Sequence, residues 1–369
     1  MKRVKILLVA MMILPFAFWG CQNKQKIKVG VLLPLTGDIA VYGNAIKNGI
    51  DLALDESDIK EYIRLIVEDD QGETKTATTV FNKMLLQKVD IVIGGAMSSV
   101  AATLVPIAQK EKITLLSPTA TLPSLTNSGK YFFRIWPSDN YDGYIIANYA
   151  SNIMRIQKAA VLYVNLDYGV GVTKVFSDEF EKKGGQIVFS EGFAQGTTDF
   201  RTQLTKIRNS NPEVLFIPGY YQEISLILRQ MKDMSLNIQI LGVNSFFDER
   251  LIQLAGEQAE GIIFTYPSYD SDSDDKNIQA FVKNYSSKYR NTPDAFAAHG
   301  YDCMKIIEYA IKLLKKKNET VTRETLRDEI ANIRDFDGVS GKFSFDENGD
   351  VVKDMRFITV KNGKFVNYE

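Results

Sequence analysis

Asp90-Ile-Val-Ile-Gly-Gly-Ala-Met-Ser-Ser99 reads as an apolar strand, a glycine turn and the opening of a helix. Its branched apolar residues stand together without polar alternation, the pattern of a strand covered on both faces. Val214-Leu-Phe-Ile-Pro218 carries the same pattern in the second half of the chain. Outward from these two, strand-like runs recur at 27–33, 63–68, 114–117, 159–164, 186–191, 238–243 and 261–266. Amphipathic helical patterns fill the intervals at 42–56, 74–87, 100–109, 141–154, 170–182, 200–209 and 222–234. Short strands alternating with helices of about 10–15 residues build βαβ units around parallel sheets, so the expected fold class is α/β. Nine or more buried parallel strands exceed what a single core of this size carries, and two sheets are expected.

The chain softens at Pro137-Ser-Asp139 and again at 267–275, where Ser and Asp cluster, which marks two candidate domain breaks. Helical patterns follow at 277–289, 295–316 and 323–332. The tail, 341–368, alternates like a hairpin around Asp346-Glu-Asn-Gly-Asp350. That acidic cluster lacks the remainder of a twelve-residue calcium loop and its closing Glu, so Asn348-Gly349 reads as a turn.

At the start of the chain, Lys2, Arg3 and Lys5 precede an apolar run, 6–19, and the small residue Gly20. This is the layout of an export signal, and the run is shorter than the roughly 20 residues that span a bilayer. Cys21, with the polar tract Gln22-Asn-Lys-Gln-Lys26 behind it, resembles the lipobox of bacterial lipoproteins, where the chain is cut before an acylated cysteine. Phe18 and Trp19 stand where lipoboxes favour Leu and a small residue. The expectation is a signal peptide at 1–20 and a lipid anchor on Cys21, placing the protein in the cell envelope; an ordinary cleaved signal would leave the same domain free outside the membrane.

After removal of the signal about 345 residues remain, enough for two domains. A formal net charge of -1 offers no pull toward nucleic acid. Cys303 is the only cysteine besides Cys21, which leaves no disulfide if Cys21 carries lipid, and the single His299 makes no multi-histidine metal site. His299 reads as a plain helix residue. Gly169-Val-Gly171 lacks the remainder of a dinucleotide loop, and no Walker loop, nucleophile elbow or paired zinc ligands occur. No cofactor and no enzymatic activity are expected.

Polar loops placed directly after strands are the more informative feature, because ligands of open parallel sheets bind outside the carboxyl ends of the strands. Ser98 and Ser99 open a helix, where unpaired amides and the helix dipole favour an anion. The next strand ends in Ser117-Pro-Thr-Ala-Thr121. Taken singly, Ser98 would be a helix cap and Thr119 and Thr121 turn residues; as neighbours they form a candidate carboxylate cradle.

The motifs Val31-Leu-Leu-Pro-Leu-Thr-Gly-Asp38, Tyr42-Gly43, Gly94-Gly-Ala-Met-Ser-Ser99, Ser117-Pro-Thr-Ala-Thr121, Phe133-Arg-Ile-Trp-Pro-Ser-Asp139, Asp167-Tyr-Gly169, Thr198-Asp-Phe200 and Ala259-Glu-Gly261 occur in this order. In this the chain, from about residue 26 to its end, resembles extracellular solute-binding proteins of the leucine/isoleucine/valine-binding type. The resemblance implies two Rossmann-like lobes joined by three crossings with a ligand closed between them. Lobe one would comprise 26–139 and 266–343, and lobe two 140–265 and 344–369. It implies that Ser98, Thr119 and Thr121 hold the carboxylate of an amino acid and share its ammonium. Tyr42, Met97 and Phe296 would lie near the side-chain pocket, and Tyr168 and Tyr220 would close from lobe two. The family's amino-acid binders place an acidic residue where this chain has Asn244, which supplies only a neutral acceptor to a buried ammonium. Asp248 or Glu223 would have to compensate, or the ligand lacks a free amine. The implied function is capture of a small polar solute for the permease of an ABC importer; the rival expectation is an envelope sensor of the same fold with no permease.

Overall fold

The computed structural model describes residues 26–267, 269–353 and 355–368. The expected signal segment and Cys21 lie outside them. The first part of the chain runs β1 (Ile27–Leu33), α1 (Ala40–Asp55), β2 (Ile63–Asp69), α2 (Thr74–Leu86), β3 (Ile91–Gly94), α3 (Ser98–Lys110), β4 (Thr114–Ser117) and β5 (Phe132–Arg134). These strands form one parallel sheet in the order β2-β1-β3-β4-β5. Residues of β3 and β4 are wholly buried, as their unbroken apolar runs require.

The chain then passes to a second sheet through α4 (Asp139–Asn148), β6 (Lys158–Val164), α5 (Asp167–Lys182), β7 (Gln186–Phe193), α6 (Arg201–Ser210), β8 (Val214–Phe216), α7 (Tyr221–Asp233), β9 (Gln239–Gly242), α8 (Glu249–Ala255) and β10 (Ile263–Pro267). It returns to the first sheet for α9 (Lys276–Tyr289), α10 (Ala295–Lys316), α11 (Arg323–Ala331) and the short hairpin β11 (Phe336–Gly338) and β12 (Gly341–Phe343). It finishes on the second sheet as β13 (Met355–Lys361) and β14 (Lys364–Asn367). The second sheet has the order β14-β13-β10-β9-β8-β6-β7, with β13 antiparallel to both neighbours. The molecule is therefore α/β with two parallel-sheet lobes.

Three elements escape the sequence pattern. β5 and β11 are three residues long, too short for periodicity to register, and α8 spans seven residues behind an Asp248 cap. The tail also differs from the hairpin expected around 346–350. Phe345 bridges Val351 across that turn, and the full hairpin forms farther on around Asn362 and Gly363, whose φ values of 54° and 68° suit a tight two-residue turn. The cause lies in what holds the earlier turn. The Arg134 N–H donates to the Gly349 carbonyl at 3.0 Å, so the turn stays on the edge of β5 and the chain leaves for the second sheet only beyond Val351. The passage thus lies several residues beyond the 343/344 boundary that the family resemblance implies.

Arg134 is fully buried and forms a two-pronged ion pair with Asp350, Nε to Oδ1 at 2.6 Å and Nη2 to Oδ2 at 2.8 Å. Its Nη1 donates to the Leu122 carbonyl at 2.9 Å. A guanidinium withdrawn from water is tolerated only when its fork is matched in this way. Elsewhere α1 and α10 meet backbone to backbone. A Cβ on Gly49 would lie 2.0 Å from the Ala297 carbonyl oxygen, and one on Gly300 would lie 2.1 Å from that of Ile46. His299, on the same helix, is buried with Nδ1 2.7 Å from the Ala295 carbonyl and Nε2 3.2 Å from Lys353 Nζ.

Asp350→Ala leaves the Arg134 charge buried and unpaired, and urea unfolding is expected to show a loss of about 3–5 kcal/mol. Gly300→Ala forces two helices apart and is expected to lose about 1–3 kcal/mol in the same measurement. An unchanged denaturation midpoint would contradict either account.

Candidate functional site

Parallel strands end on one edge of their sheet, and the helices that follow begin there. The cavity between the lobes is consequently lined by the first residues of helices from both sides. Ser98 opens α3, Tyr168 is the second residue of α5, Tyr220 caps α7, and Phe296 and Tyr42 lie in the first turns of α10 and α1. Met97, Thr119, Thr121, Asn244, Ser245, Pro34 and Ala96 complete the wall, which encloses about 50 Å³. All nine residues nominated from the sequence thus meet at one cavity. Pro34, Ala96 and Ser245 were missed, although all three lie just past strand ends, where ligands of parallel sheets bind; Asn244 itself came from the family resemblance.

The lobes touch across this space. The Tyr220 hydroxyl reaches Met97 Sδ at 3.7 Å, and the Tyr220 ring stacks on Tyr168 at 5.8 Å and approaches Tyr42 at 6.3 Å. Tyr42 also packs on Phe296 at 4.8 Å. Aromatic faces therefore form one side of the cavity.

Hydrogen-bond directions give the polar side a definite sense. Ser98 does not cap its helix; its Oγ accepts from the backbone N–H groups of Thr121 and Leu122, both at 3.2 Å, so its own proton is available to a ligand. Thr119 donates to the Ala96 carbonyl at 2.9 Å, and Thr121 donates to Asp139 Oδ2 at 2.8 Å. With their protons spent inward, both threonine oxygens are acceptors. The Asn244 side-chain nitrogen donates to Asp142 Oδ2 at 3.0 Å, while Thr265 donates to the other oxygen of the same carboxylate. The Tyr168 hydroxyl shares a hydrogen bond with Ser245 at 3.2 Å.

Two carboxyl groups hence stand directly behind the wall, each one hydrogen bond from the cavity. Asp139 is fully buried, and its Oδ1 finds no partner among the described residues. Burial, and then the nearby Asp142, raise its pKa well above the usual carboxylate range. Burial likewise pushes Asp142 up to about 6. Among the described residues no Lys, Arg or His lines the cavity. The nearby Arg250 lies over the Tyr221 ring at 3.8 Å and is paired with Asp248 at 2.9 Å. Asp248 and Glu223, the acidic residues considered as substitutes at Asn244, are not in the wall: Asp248 caps α8, and Glu223 Oε1 accepts the Gly196 N–H at 2.8 Å. Asp139 lay within a quoted motif, but nothing in the sequence singled out Asp142.

The periplasmic binding protein family matches the chain over residues 26–364. The leucine-, isoleucine-, valine-, threonine- and alanine-binding protein of Pseudomonas aeruginosa is 26% identical over 375 residues, covering 100% of this chain and 96% of that protein. A leucine-binding protein from Thermotoga maritima superposes with a TM-score of 0.87 at 30% identity, covering 93% of this chain and 98% of its own. A branched-chain amino acid transporter substrate-binding protein from Streptococcus pneumoniae, solved with isoleucine, gives a TM-score of 0.83 at 32% identity over 93% of this chain and 100% of its own. With helix starts from both lobes converging on one cavity and a family match along nearly the whole described length, the chain belongs to the periplasmic binding proteins, as a non-enzymatic solute-binding protein of the leucine/isoleucine/valine-binding type that serves an ABC transporter.

Proposed function

We propose that this protein captures a free α-amino acid with an apolar side chain by hinge closure and delivers it to the membrane permease of an ABC importer, from an extracytoplasmic position held by a lipid on Cys21. The observation that carries the reading is the polarity of the cavity wall. At one end the α3 N-terminus and the free Ser98 proton suit a carboxylate. Beside them Thr119, Thr121 and Asn244 offer acceptors, two of them backed by buried carboxyl groups, with no cation in the wall among the described residues. An ammonium gives these acceptors the donors they need. A carboxylate without an amine would leave them facing nothing while bringing a further negative charge toward Asp142, which is costly at low dielectric. The rings of Tyr42, Phe296, Tyr168 and Tyr220 supply an apolar surface for the side chain. Binding proteins named for leucine, isoleucine and valine among the relatives agree with that assignment.

Closure follows from where the contacts lie. Ser98, Thr119 and Thr121 belong to the first lobe, and Tyr168, Tyr220 and Asn244 to the second, so a ligand touching both sets favours the closed arrangement by its differential affinity.

Calorimetric titration of the mature domain with the twenty standard amino acids should give saturable binding of at least one branched-chain member. Ser98→Ala and Tyr220→Ala should each weaken it about tenfold or more while far-UV dichroism and melting remain near wild type. A folded wild-type protein that binds none of the twenty overturns the reading.

A further inference from the structure

The residue that this chain carries in place of an acidic ammonium partner is not a lone amide. Asn244 is 7% exposed and sits at the cavity wall, with its nitrogen donating to Asp142 Oδ2 at 3.0 Å. Its oxygen has no donor among the described residues and is the free pole of the amide. Asp142 is 1% exposed, on the first turn of α4, and its second oxygen is taken by Thr265 of β10.

We propose that Asp142 is a specificity-determining positioning residue: its carboxylate fixes the Asn244 amide so that the carbonyl faces the cavity, and by this means makes the site select ligands bearing a protonated amine. The proposal rests on the amino-acid reading above and assigns its selectivity to a residue that touches no ligand. An Asn in isolation is ambivalent, since a half-turn of its amide exchanges donor and acceptor. With a carboxylate behind it the two orientations are unequal: one places N–H against an anion, the other sets a carbonyl oxygen against it. The hydrogen bond to the charge also polarises the amide, which strengthens its carbonyl as an acceptor. Asn244 therefore transmits a negative charge that stands one side chain farther back.

The groups facing Asp142 are few. Asp139 lies one turn earlier on α4, and the Tyr168 hydroxyl approaches from α5, while Asn244 and Thr265 do not titrate. Burial has raised the Asp142 carboxyl to about 6. A bound ammonium favours its charged form, so ligand binding releases a proton and affinity rises with pH through that region. Once protonated, Asp142 carries a donor of its own and no longer dictates which end of the Asn244 amide faces inward.

The test compares L-leucine with 4-methylpentanoate, the same skeleton lacking the amine. In wild-type protein L-leucine should bind more tightly. In Asp142→Asn that preference should shrink about tenfold or more, and the fall in L-leucine affinity between about pH 7 and pH 5 should flatten. The paired substitution Asp142→Asn with Asn244→Asp, which keeps the hydrogen bond and exchanges its polarity, should restore the preference; it also serves if the single variant does not fold. Equal weakening of both ligands in Asp142→Asn, or a swapped pair that folds and shows no preference, overturns the role given to Asp142 and leaves the amino-acid reading standing. Wild-type protein that fails to prefer L-leucine overturns the amino-acid reading, and this inference with it.

Discussion

The guanidinium of Arg134 and the carboxylate of Asp350 form the contact on which most of the remaining architecture leans. Both are withdrawn from water, with side-chain exposures of 0% and 12%, so each needs the other. The pair fastens the last strand of the first sheet to the turn from which the chain departs for the second. Through the Leu122 carbonyl, Arg134 also holds the loop whose N–H groups at Thr121 and Leu122 point to Ser98 Oγ. One buried charge pair thereby sets both the route of the chain and the orientation of the first-lobe wall of the cavity.

The passages between lobes meet on α10. Trp136, just past β5, packs at a tilt on His299 at 4.4 Å and on Phe296 at 5.1 Å, and it meets Tyr266 at the end of β10 edge to face at 6.4 Å. Lys353, on the third passage, is buried beside His299 and donates to Ser340 at 2.6 Å, which in turn donates to Asp302. Burial draws the Lys353 pKa down to about 8 and that of His299 well below its usual value, so the helix carries a polar seam between two apolar layers. The same helix presents Phe296 to the cavity between the lobes.

The fold was legible because parallel strands buried on both faces leave an unmistakable apolar run, as at Ile91–Gly94 and Val214–Phe216, and because their carboxyl ends must carry the site. That rule, joined to the family resemblance, led to Ser98, Thr119, Thr121 and Asn244 before any coordinates. It could not reach Asp142. This residue lies on the first turn of a helix, far in sequence from Asn244 and Thr265, and its contribution arises only where three segments converge. β5 was hidden for a related reason: three residues carry no period, and Arg134 belongs to the interior only because Asp350 arrives from over two hundred residues away.

The contact of α1 with α10 has a consequence for how such a pocket can change over time. Gly49 and Gly300 bring the two helices so close that no side chain fits between them at either position. Tyr42 and Phe296 stand at the starts of those helices, so the spacing of this aromatic pair at the cavity follows from the helix contact. Diversification toward larger or smaller solutes has to proceed by exchanging side chains around a fixed frame. The natural places for that drift are the second-lobe positions, Tyr168, Tyr220 and Ser245, where a replacement alters the pocket without disturbing the weld.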